Sequence, residues 1–385
     1  MNTSSLITGS ELPYTTFMKV AFVADWLTVN AGAEHALVEL HALWPDAPLY
    51  TTVARPERLG ALGKNTIITT PLQRLYNMVG RHQLLLPFMP QAVEGIDLSG
   101  FDVIISSSHA VGKGIIPPSN SVHVCYCHTP MRYAWEMEKE YLRDFRVPKF
   151  LWKYLRRTLS KLRRWDLSTA KRVDAFIANS AETARRIQET YGRESVIIPP
   201  PVSKKFFEAP LGNAKRQGFL SVGRLVPYKR IDLLISAANA LGAPLTIVGK
   251  GQEDARLRAL AGPTVKFLGF VSDHDLPALY ASAEAVLFAA HEDAGIVPLE
   301  AQAMGTPVIA YGKGGVLDSV VEGKTGVFCN AQTAESFAEA MQTFQTMTFD
   351  YEAIREHARK FSAEFFGNRV RATVEGILEA SGRNA

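Results

Sequence analysis

Two glutamates, Glu292 and Glu300, frame the segment with the clearest chemical potential. The apolar run at 285–290 is typical of a buried strand, and Pro298 is well suited to the first position of the helix that follows. The amides at the start of a helix attract anions, and Gly295 lets the backbone come close to a ligand. The sequence therefore predicts an anion site in the loop between this strand and this helix.

The carboxylate of Glu300 has two interpretations. If Pro298 is the first helical residue, Val297 is the cap, and its side chain has no oxygen with which Glu300 can form a reciprocal capping box. The carboxylate is then free to bind a hydroxyl group of a ligand. Alternatively, Glu300 only favours the positive end of the helix dipole.

Two cations, Arg224 and Lys229, flank a turn that follows another apolar run, at 219–222. In open α/β sheets, ligands bind at the carboxyl ends of the strands, so this turn is expected to face the same cleft as the Glu292 loop. A pair of cations there can neutralise the charge of a diphosphate as it leaves. The alternative is a solvated basic loop without a ligand.

These segments, taken in order, resemble the retaining glycosyltransferases of family 4. The stretch 292–300 resembles their Glu-x7-Glu signature, and the stretch 223–229 matches their Gly-Arg-x4-Lys motif. The resemblance covers nearly the whole chain from about Met18. It implies an α/β fold of the GT-B type, in which two Rossmann-like doubly wound domains face a central cleft. Ala294 stands where the family usually has Phe, which alters the expected sugar pocket.

The resemblance also implies roles for individual residues. Glu300 is expected to hold the donor ribose, and Arg224 and Lys229 its diphosphate. The implied donor-binding residues are Gly32, Arg224, Lys229, Gly249, Val271, Gly295, Ile296, Val297 and Glu300. The implied catalytic residues are His128, Glu292, Arg224 and Lys229. The sequence marks no covalent nucleophile.

His128 follows an apolar run at 121–127 and begins the sequence His-Thr-Pro-Met-Arg-Tyr-Ala-Trp. A strand end is where open α/β sheets place ligands, and the run 107–109 ends the preceding strand at the same edge. In the family, the aligned histidine lies against the transferred sugar. A zinc site at His123, Cys125, Cys127 and His128 is rejected, because no second ligand pair occurs at zinc-site spacing.

Three successive prolines at 199–201 predict the domain boundary. The first domain is predicted at 1–199, on the acceptor side, and the nucleotide-sugar domain at 200–365. The resemblance implies that a final helix at 366–385 crosses back to the first domain. Ser180 is a candidate N-cap for a helix through Ile187.

The composition is that of an ordinary globular protein of 385 residues, with 47% hydrophobic and 21% charged residues. A net charge of +4 gives little support to nucleic-acid binding, and three cysteines do not form a disulfide framework. The start of the chain lacks the features of a signal peptide, so a cytoplasmic location is expected. No metal or other cofactor is expected, because the Asp273–Asp275 pair fits a helix cap better than a metal site.

Residues 149–165 place leucines at helical spacing among lysines and arginines, which predicts a basic amphipathic helix. Such a helix binds anionic lipid with about 1 kcal/mol per basic residue, or it packs on the sheet as an ordinary domain helix. In the first case, the segment 149–172 attaches the protein to the inner face of the cytoplasmic membrane.

The implied reaction is the transfer of a hexose from a nucleotide sugar to a glycan hydroxyl with retention of configuration. The run at 128–135 is similar to a subgroup that builds bacterial surface polysaccharides, several members of which use GDP-mannose. We therefore expect mannose from GDP-mannose and a glycan or polyprenyl-diphosphate-linked oligosaccharide as acceptor. The alternatives are a UDP-sugar donor, a GT-B epimerase or phosphorylase, and a non-catalytic scaffold docked at the membrane.

Overall fold

The computed structural model describes residues 18–29, 31–135, 152–212 and 215–382. The strands in these ranges are β1 (Val20–Ala24), β2 (Leu49–Thr51), β3 (Ile67–Thr69), β4 (Val103–Ser108), β5 (Val122–Cys127), β6 (Ala175–Ala178), β7 (Ser195–Ile197), β8 (Phe219–Val222), β9 (Leu245–Val248), β10 (Val265–Gly269), β11 (Ala285–Phe288), β12 (Val308–Tyr311) and β13 (Gly326–Cys329).

The α-helices in the same ranges are α1 (Gly32–His41), α2 (Leu72–Val79), α3 (Met89–Glu94), α4 (Arg132–Trp135), α5 (Trp152–Thr169), α6 (Ala181–Tyr191), α7 (Lys204–Glu208), α8 (Ile231–Leu241), α9 (Asp254–Leu260), α10 (Leu276–Ser282), α11 (Ile296–Ala303), α12 (Ala334–Gln345), α13 (Tyr351–Ala358) and α14 (Ala363–Ser381). Short 3₁₀ helices include Pro56–Arg58, Gly60–Lys64, His82–Phe88, Gly112–Gly114, Ala170–Arg172, Pro227–Lys229, Gly315–Asp318 and Arg359–Phe361.

The strands form two parallel sheets. The first has seven strands in the order β3-β2-β1-β4-β5-β6-β7, and the second has six in the order β10-β9-β8-β11-β12-β13. Their central strands are continuous apolar runs that are buried throughout, as in β1 and β11, because helices cover both faces of a parallel sheet. The α/β fold with two doubly wound sheets expected from the sequence is confirmed.

In each sheet, the direction in which successive strands are added reverses between two neighbouring strands. These are β1 and β4 in the first sheet, and β8 and β11 in the second. A crevice opens at the carboxyl ends of such strands, which is where ligands bind in this class of sheet. The loops after β1, β4 and β5 therefore supply one wall of a cleft, and those after β8, β9 and β11 supply the other.

The last helix, α14, packs on the first sheet although it follows the second in sequence. Phe366, Val370 and Val374 are buried in the same apolar cluster as Phe22 and Tyr126. The helix thus links the end of the chain to the first domain.

Helix α5 covers the other face of the first sheet. Leu159 and Leu162 are buried in the cluster that also contains Tyr76 and Leu85, so at these positions the apolar stripe serves the domain core. The predicted helix start at 149–151 lies outside the described residues. Among the described residues, no helix combines the length and hydrophobicity needed to cross a bilayer.

Candidate active site

The loop after β11, His291–Gly295 (the Glu292 loop), turns directly into α11. Gly295 has a left-handed backbone conformation with φ of 66° and is the N-cap, so the helix begins at Ile296. The prediction that Pro298 is the first helical residue and Val297 the cap is therefore wrong. A proline is tolerated at this third helical position because the first N–H groups of a helix have no intrahelical partner.

Lys229 and Glu292 form an ion pair, although they belong to different loops. Lys229 lies in the turn after β8, Gly223–Arg230 (the Arg224 turn), and its Nζ contacts Glu292 Oε1. The two side chains are only 13% and 20% exposed, so the pair lies inside the crevice. Arg224 is exposed at the rim, where its Nη2 donates to the Tyr228 hydroxyl over 3.2 Å. The structure thus brings the two sequence motifs together.

Glycines at the ends of β8 and β9 allow neighbouring turns to touch through their backbones. A Cβ atom on Gly249 would lie 1.8 Å from the carbonyl oxygen of Gly223, and φ of Gly249 is 135°. The amide of Gly249 donates to the carbonyl of Gly269, at the end of β10, over 2.7 Å. Val271 follows this strand and is half-buried in the apolar cluster beneath α11, together with Val297. At these glycines, the neighbouring turns contact each other through backbone atoms.

Glu300 lies on α11 beneath the crevice and is not wholly free for a ligand. Its Oε2 accepts a hydrogen bond of 2.8 Å from the Tyr280 hydroxyl. Burial raises the pKa of Glu300 to about 7, against the smaller opposing effect of the Tyr280 hydrogen bond. The group therefore changes its charge near neutral pH.

Two glycines that the sequence reasoning missed support the Glu292 loop from behind. The amide of Gly315 donates to the carbonyl of Glu292 over 2.9 Å. A Cβ atom would lie 2.3 Å from the Glu292 carbonyl oxygen if added to Gly314, and 2.1 Å from that of Asp293 if added to Gly315. The Gly-Lys-Gly-Gly run at 312–315 was the available signal, since repeated glycines allow close approach of two backbones.

Gly32 of the first domain lies close to the start of α11. It is the first residue of α1, and a Cβ atom on it would lie 3.0 Å from Ile296 Cδ1. The predicted donor-binding residues Gly32, Gly295 and Ile296 therefore meet across the cleft.

His128 lies at the end of β5 on the first-domain wall. Its Nε2 is 2.8 Å from Ser107 Oγ, and its ring centroid is 6.3 Å from that of His109. Burial, reinforced by the charge of His109, lowers the pKa of His128 to about 3. The imidazole is consequently neutral at physiological pH and can exchange hydrogen bonds with sugar hydroxyls.

His109 is paired with a buried carboxylate that the sequence reasoning missed. Asp25, just after β1, accepts hydrogen bonds from the His109 amide (2.6 Å) and the Ser108 hydroxyl (2.9 Å), and it lies 2.9 Å from His109 Nδ1. Burial alone would lower the pKa of His109, but the Asp25 carboxylate outweighs it and raises that pKa. The cleft thus holds one neutral and one readily protonated histidine.

Asp293, also in the Glu292 loop, contacts two arginines of the first domain. Its Oδ2 lies 3.6 Å from Arg132 in α4, and its Oδ1 lies 3.5 Å from Arg186 in α6. The Asp293 side chain is 15% exposed, against 9% for Arg186 and 32% for Arg132, so the contact with Arg186 is the more shielded of the two. We refer to these three residues as the Asp293 clamp, since they join the two walls of the cleft.

The residues rejected as a zinc site have other partners. His123 is buried, with Nε2 2.8 Å from Ser106 Oγ and Nδ1 3.1 Å from the Arg172 carbonyl. Cys125 and Cys127 are buried thiols. The part of the chain that the structure describes contains no group of three or more metal-ligating side chains.

Comparisons with known proteins agree with this geometry. The family model described as "Glycosyltransferase Family 4" matches residues 31–206, and that described as "Glycosyl transferases group 1" matches residues 202–361. HepE from Anabaena, crystallised with UDP, superposes with a TM-score of 0.66 at 19% identity and covers 93% of this chain and 100% of HepE. The apo galactosyltransferase WaaB of the lipopolysaccharide outer core gives a TM-score of 0.64 at 15% identity, covering 93% and 99%.

Two curated relatives match this chain over a smaller part of its length than these structures do. D-inositol 3-phosphate glycosyltransferase of Nocardia farcinica is 29% identical over 54% of this chain and 52% of its own length. A GDP-mannose-dependent phosphatidylinositol monomannoside mannosyltransferase of Mycobacterium tuberculosis is 31% identical over 42% of this chain and 50% of its own. The chain thus spans about half of the length of the curated relatives it matches. Because the two family models together cover residues 31–361, the chain belongs to the family 4 glycosyltransferases of GT-B fold.

Proposed function

We propose that this protein transfers mannose from GDP-mannose to a hydroxyl group of a lipid-linked glycan, with retention of configuration. The observation that carries the transfer is the contact of Lys229 with Glu292, beside the point where Gly32 meets Ile296. It places a cation, a carboxylate and the start of α11 in one interdomain crevice. Positive charge at that point stabilises a departing diphosphate.

Each residue has a role in this proposal. Lys229 and the amides at the start of α11 offset the charge of the leaving diphosphate, and the exposed Arg224 reaches it from the rim. Glu300 binds the ribose hydroxyls. Neutral His128 and Glu292 hold the sugar while the acceptor hydroxyl attacks from the face that the diphosphate leaves.

Two observations support the choice of mannose and of a lipid-linked acceptor. The sequence at 128–135 resembles that of GDP-mannose users, and the mycobacterial relative is named for a GDP-mannose donor and for phosphatidylinositol monomannoside. A UDP-sugar is the alternative donor, because HepE, which shares the fold, was crystallised with UDP.

A panel of GDP-, UDP- and ADP-sugars tests the proposal. We expect GDP-mannose to raise the melting temperature of the purified protein more than the other donors, since a ligand stabilises only the form that binds it. Transfer to a membrane-extracted lipid acceptor, with the anomeric configuration of the product read by NMR, tests the reaction. If only a UDP-sugar stabilises the protein, the donor is that UDP-sugar and not GDP-mannose. A product with the opposite anomeric configuration to the donor would contradict the proposed retention.

Donor affinity is expected to depend on pH through Glu300. Because the ribose hydroxyls donate to the ionised carboxylate, and the pKa of Glu300 is about 7, GDP-mannose should bind more tightly as the pH rises through 7. One pH unit below the pKa, about one carboxylate in ten is ionised, so Kd at pH 6 should be about tenfold higher than at pH 8. Isothermal titration with the intact donor, whose diphosphate does not titrate in this range, measures the effect.

Glu300→Gln is the matched control. This variant should bind more weakly at pH 8 and show a flat pH profile. A wild-type profile that is already flat, or a variant profile that keeps the wild-type slope, would remove Glu300 from the ribose site.

A further inference from the structure

Helix α2 presents an apolar face to solvent. Leu75, Met78 and Val79 are 39%, 84% and 39% exposed, and their spacing places them on one side of the helix. Tyr76, about a quarter of a turn further round the helix, is buried in the apolar cluster on the first sheet. The usual arrangement, with apolar residues inward and polar residues outward, therefore fails on this surface.

The exposed apolar surface continues into the next helix. The chain turns at Gly80, in the left-handed conformation, and enters the 3₁₀ helix His82–Phe88. Leu84 and Phe88 are 51% and 53% exposed there, while their neighbours Leu85 and Leu86 are buried. We define the apolar ridge as Leu75, Met78, Val79, Leu84 and Phe88.

The segment of sequence that carries the ridge is positively charged. From Arg58 to Val93 the sequence contains no Asp or Glu. Arg74 lies within α2 and Arg81 in the turn between the two helices, and both are exposed. The combination of protruding apolar side chains with arginines and no acidic residue complements the surface of an anionic bilayer.

Helix α5 lies in the same helical layer. Leu159 and Leu162 are buried in the apolar cluster that also holds Tyr76, Leu85 and Leu86. Trp165 Nε1 donates to Glu94 Oε1, at the end of α3, over 2.9 Å. The outward-facing residues of α5 include exposed bases, which extend the positive surface: Arg157, Lys161 and Arg164.

The ridge adjoins the acceptor side of the cleft. His82, the first residue of the ridge's second helix, stacks on Trp26 with ring centroids 4.7 Å apart. Trp26 in turn meets His109 edge to face at 4.8 Å. A membrane in contact with the ridge would therefore lie close to the wall that carries His109 and His128.

We propose that the apolar ridge inserts into the interfacial layer of an anionic lipid bilayer, with Arg74 and Arg81 contacting lipid phosphates. Charge complementarity favours a bilayer over a second copy of this chain, because two copies would bring the same arginines together. The inference goes beyond the proposed function, since it concerns a surface outside the cleft and does not require transfer.

Sedimentation with lipid vesicles tests the proposal on the full-length protein. Wild type should bind vesicles of equal parts phosphatidylcholine and phosphatidylglycerol, and bind phosphatidylcholine alone much less. Met78→Glu/Phe88→Glu should weaken binding to the anionic vesicles by more than about tenfold. Arg74→Gln/Arg81→Gln should weaken it about 25-fold, at about fivefold for each arginine.

Phe365→Glu is the matched control, because Phe365 is 48% exposed on α14, whose buried residues belong to the cluster on the other face of the sheet. It should bind like wild type. Arg157→Gln/Arg164→Gln measures how much α5 contributes to vesicle binding. If this variant alone loses binding and the ridge variants keep it, the ridge proposal is wrong.

Other outcomes also contradict it. Equal binding by wild type and Met78→Glu/Phe88→Glu, or no vesicle binding by wild type, excludes the ridge as a docking surface. A fall of several degrees in the melting temperature of that variant would mean that another part of the chain covers the ridge, and a change from dimer to monomer would mean that a second copy does. Donor binding in solution is independent of all these results.

Discussion

Lys229→Ala is expected to lower kcat by about 100- to 1000-fold while the protein stays folded. The Nζ of Lys229 contacts Glu292, in the loop that leads into α11, where we propose that the leaving diphosphate gains charge. Removing one preorganised donor from such a site has this effect. Arg224→Ala should cost less, because Arg224 is exposed to water at the rim. Single-turnover measurements with saturating donor separate the chemical step from binding.

The ion pair with Glu292 provides the control for this prediction. If Lys229 only holds Glu292 in place, Glu292→Gln should reproduce the kcat of Lys229→Ala. If Lys229 acts on the diphosphate, Lys229→Ala should be the more damaging variant, and Lys229→Arg should retain part of the rate. Lys324→Ala, at an exposed lysine of the same domain, should behave as wild type. A wild-type kcat in Lys229→Ala would contradict the assignment.

Much of the fold and several local features could be predicted from the sequence, because these features depend on patterns within a few residues. Buried parallel strands are continuous apolar runs, and β1, β5 and β11 were recognisable for that reason. The predicted N-cap at Ser180 is confirmed, since its hydroxyl oxygen accepts a hydrogen bond of 3.0 Å from the Thr183 amide. The meeting of the Arg224 turn with the Glu292 loop was foreseeable because parallel strands end at one edge.

The remaining features depend on contacts between distant segments. Asp25 and His109 are brought together by the pairing of β1 with β4, and nothing near Asp25 in the sequence indicates this. The start of α11 was misplaced because Gly295 can adopt the left-handed conformation, which opens a helix earlier than the proline suggests. The apolar ridge was missed because an amphipathic pattern does not reveal which face is covered.

Charge in the cleft is divided between the two walls. On the first-domain wall, Asp25 favours the protonated form of His109, while burial keeps His128 neutral. On the second-domain wall, Lys229 is paired with Glu292. In the proposed reaction, Lys229 therefore serves two anionic partners, the Glu292 carboxylate and the donor diphosphate.

Asp293→Ala should lower kcat/KM by about 30- to 150-fold without touching the donor diphosphate. The variant removes the contacts of Asp293 with Arg132 and Arg186, which both lie on the first-domain wall, so this link between the two walls is lost. Arg186 keeps its contact with Glu182 over 3.0 Å. Breaking a buried pair costs about 3–5 kcal/mol, and we use about 2–3 kcal/mol here because Arg132 is 32% exposed. Steady-state kinetics give the loss, and small-angle X-ray scattering should show a larger radius of gyration.

A double-mutant cycle of Asp293→Ala with Arg132→Ala distinguishes the clamp from a local effect on the Glu292 loop. If the clamp couples the domains, removing both partners should cost less than the sum of the single changes, by about 1 kcal/mol or more, because each single change already removes the contact between Asp293 and Arg132. Additive losses would mean that Asp293 acts only within its own loop. Glu189→Ala, at an exposed acid of α6 that pairs with Arg185 away from the cleft, should leave kcat/KM unchanged.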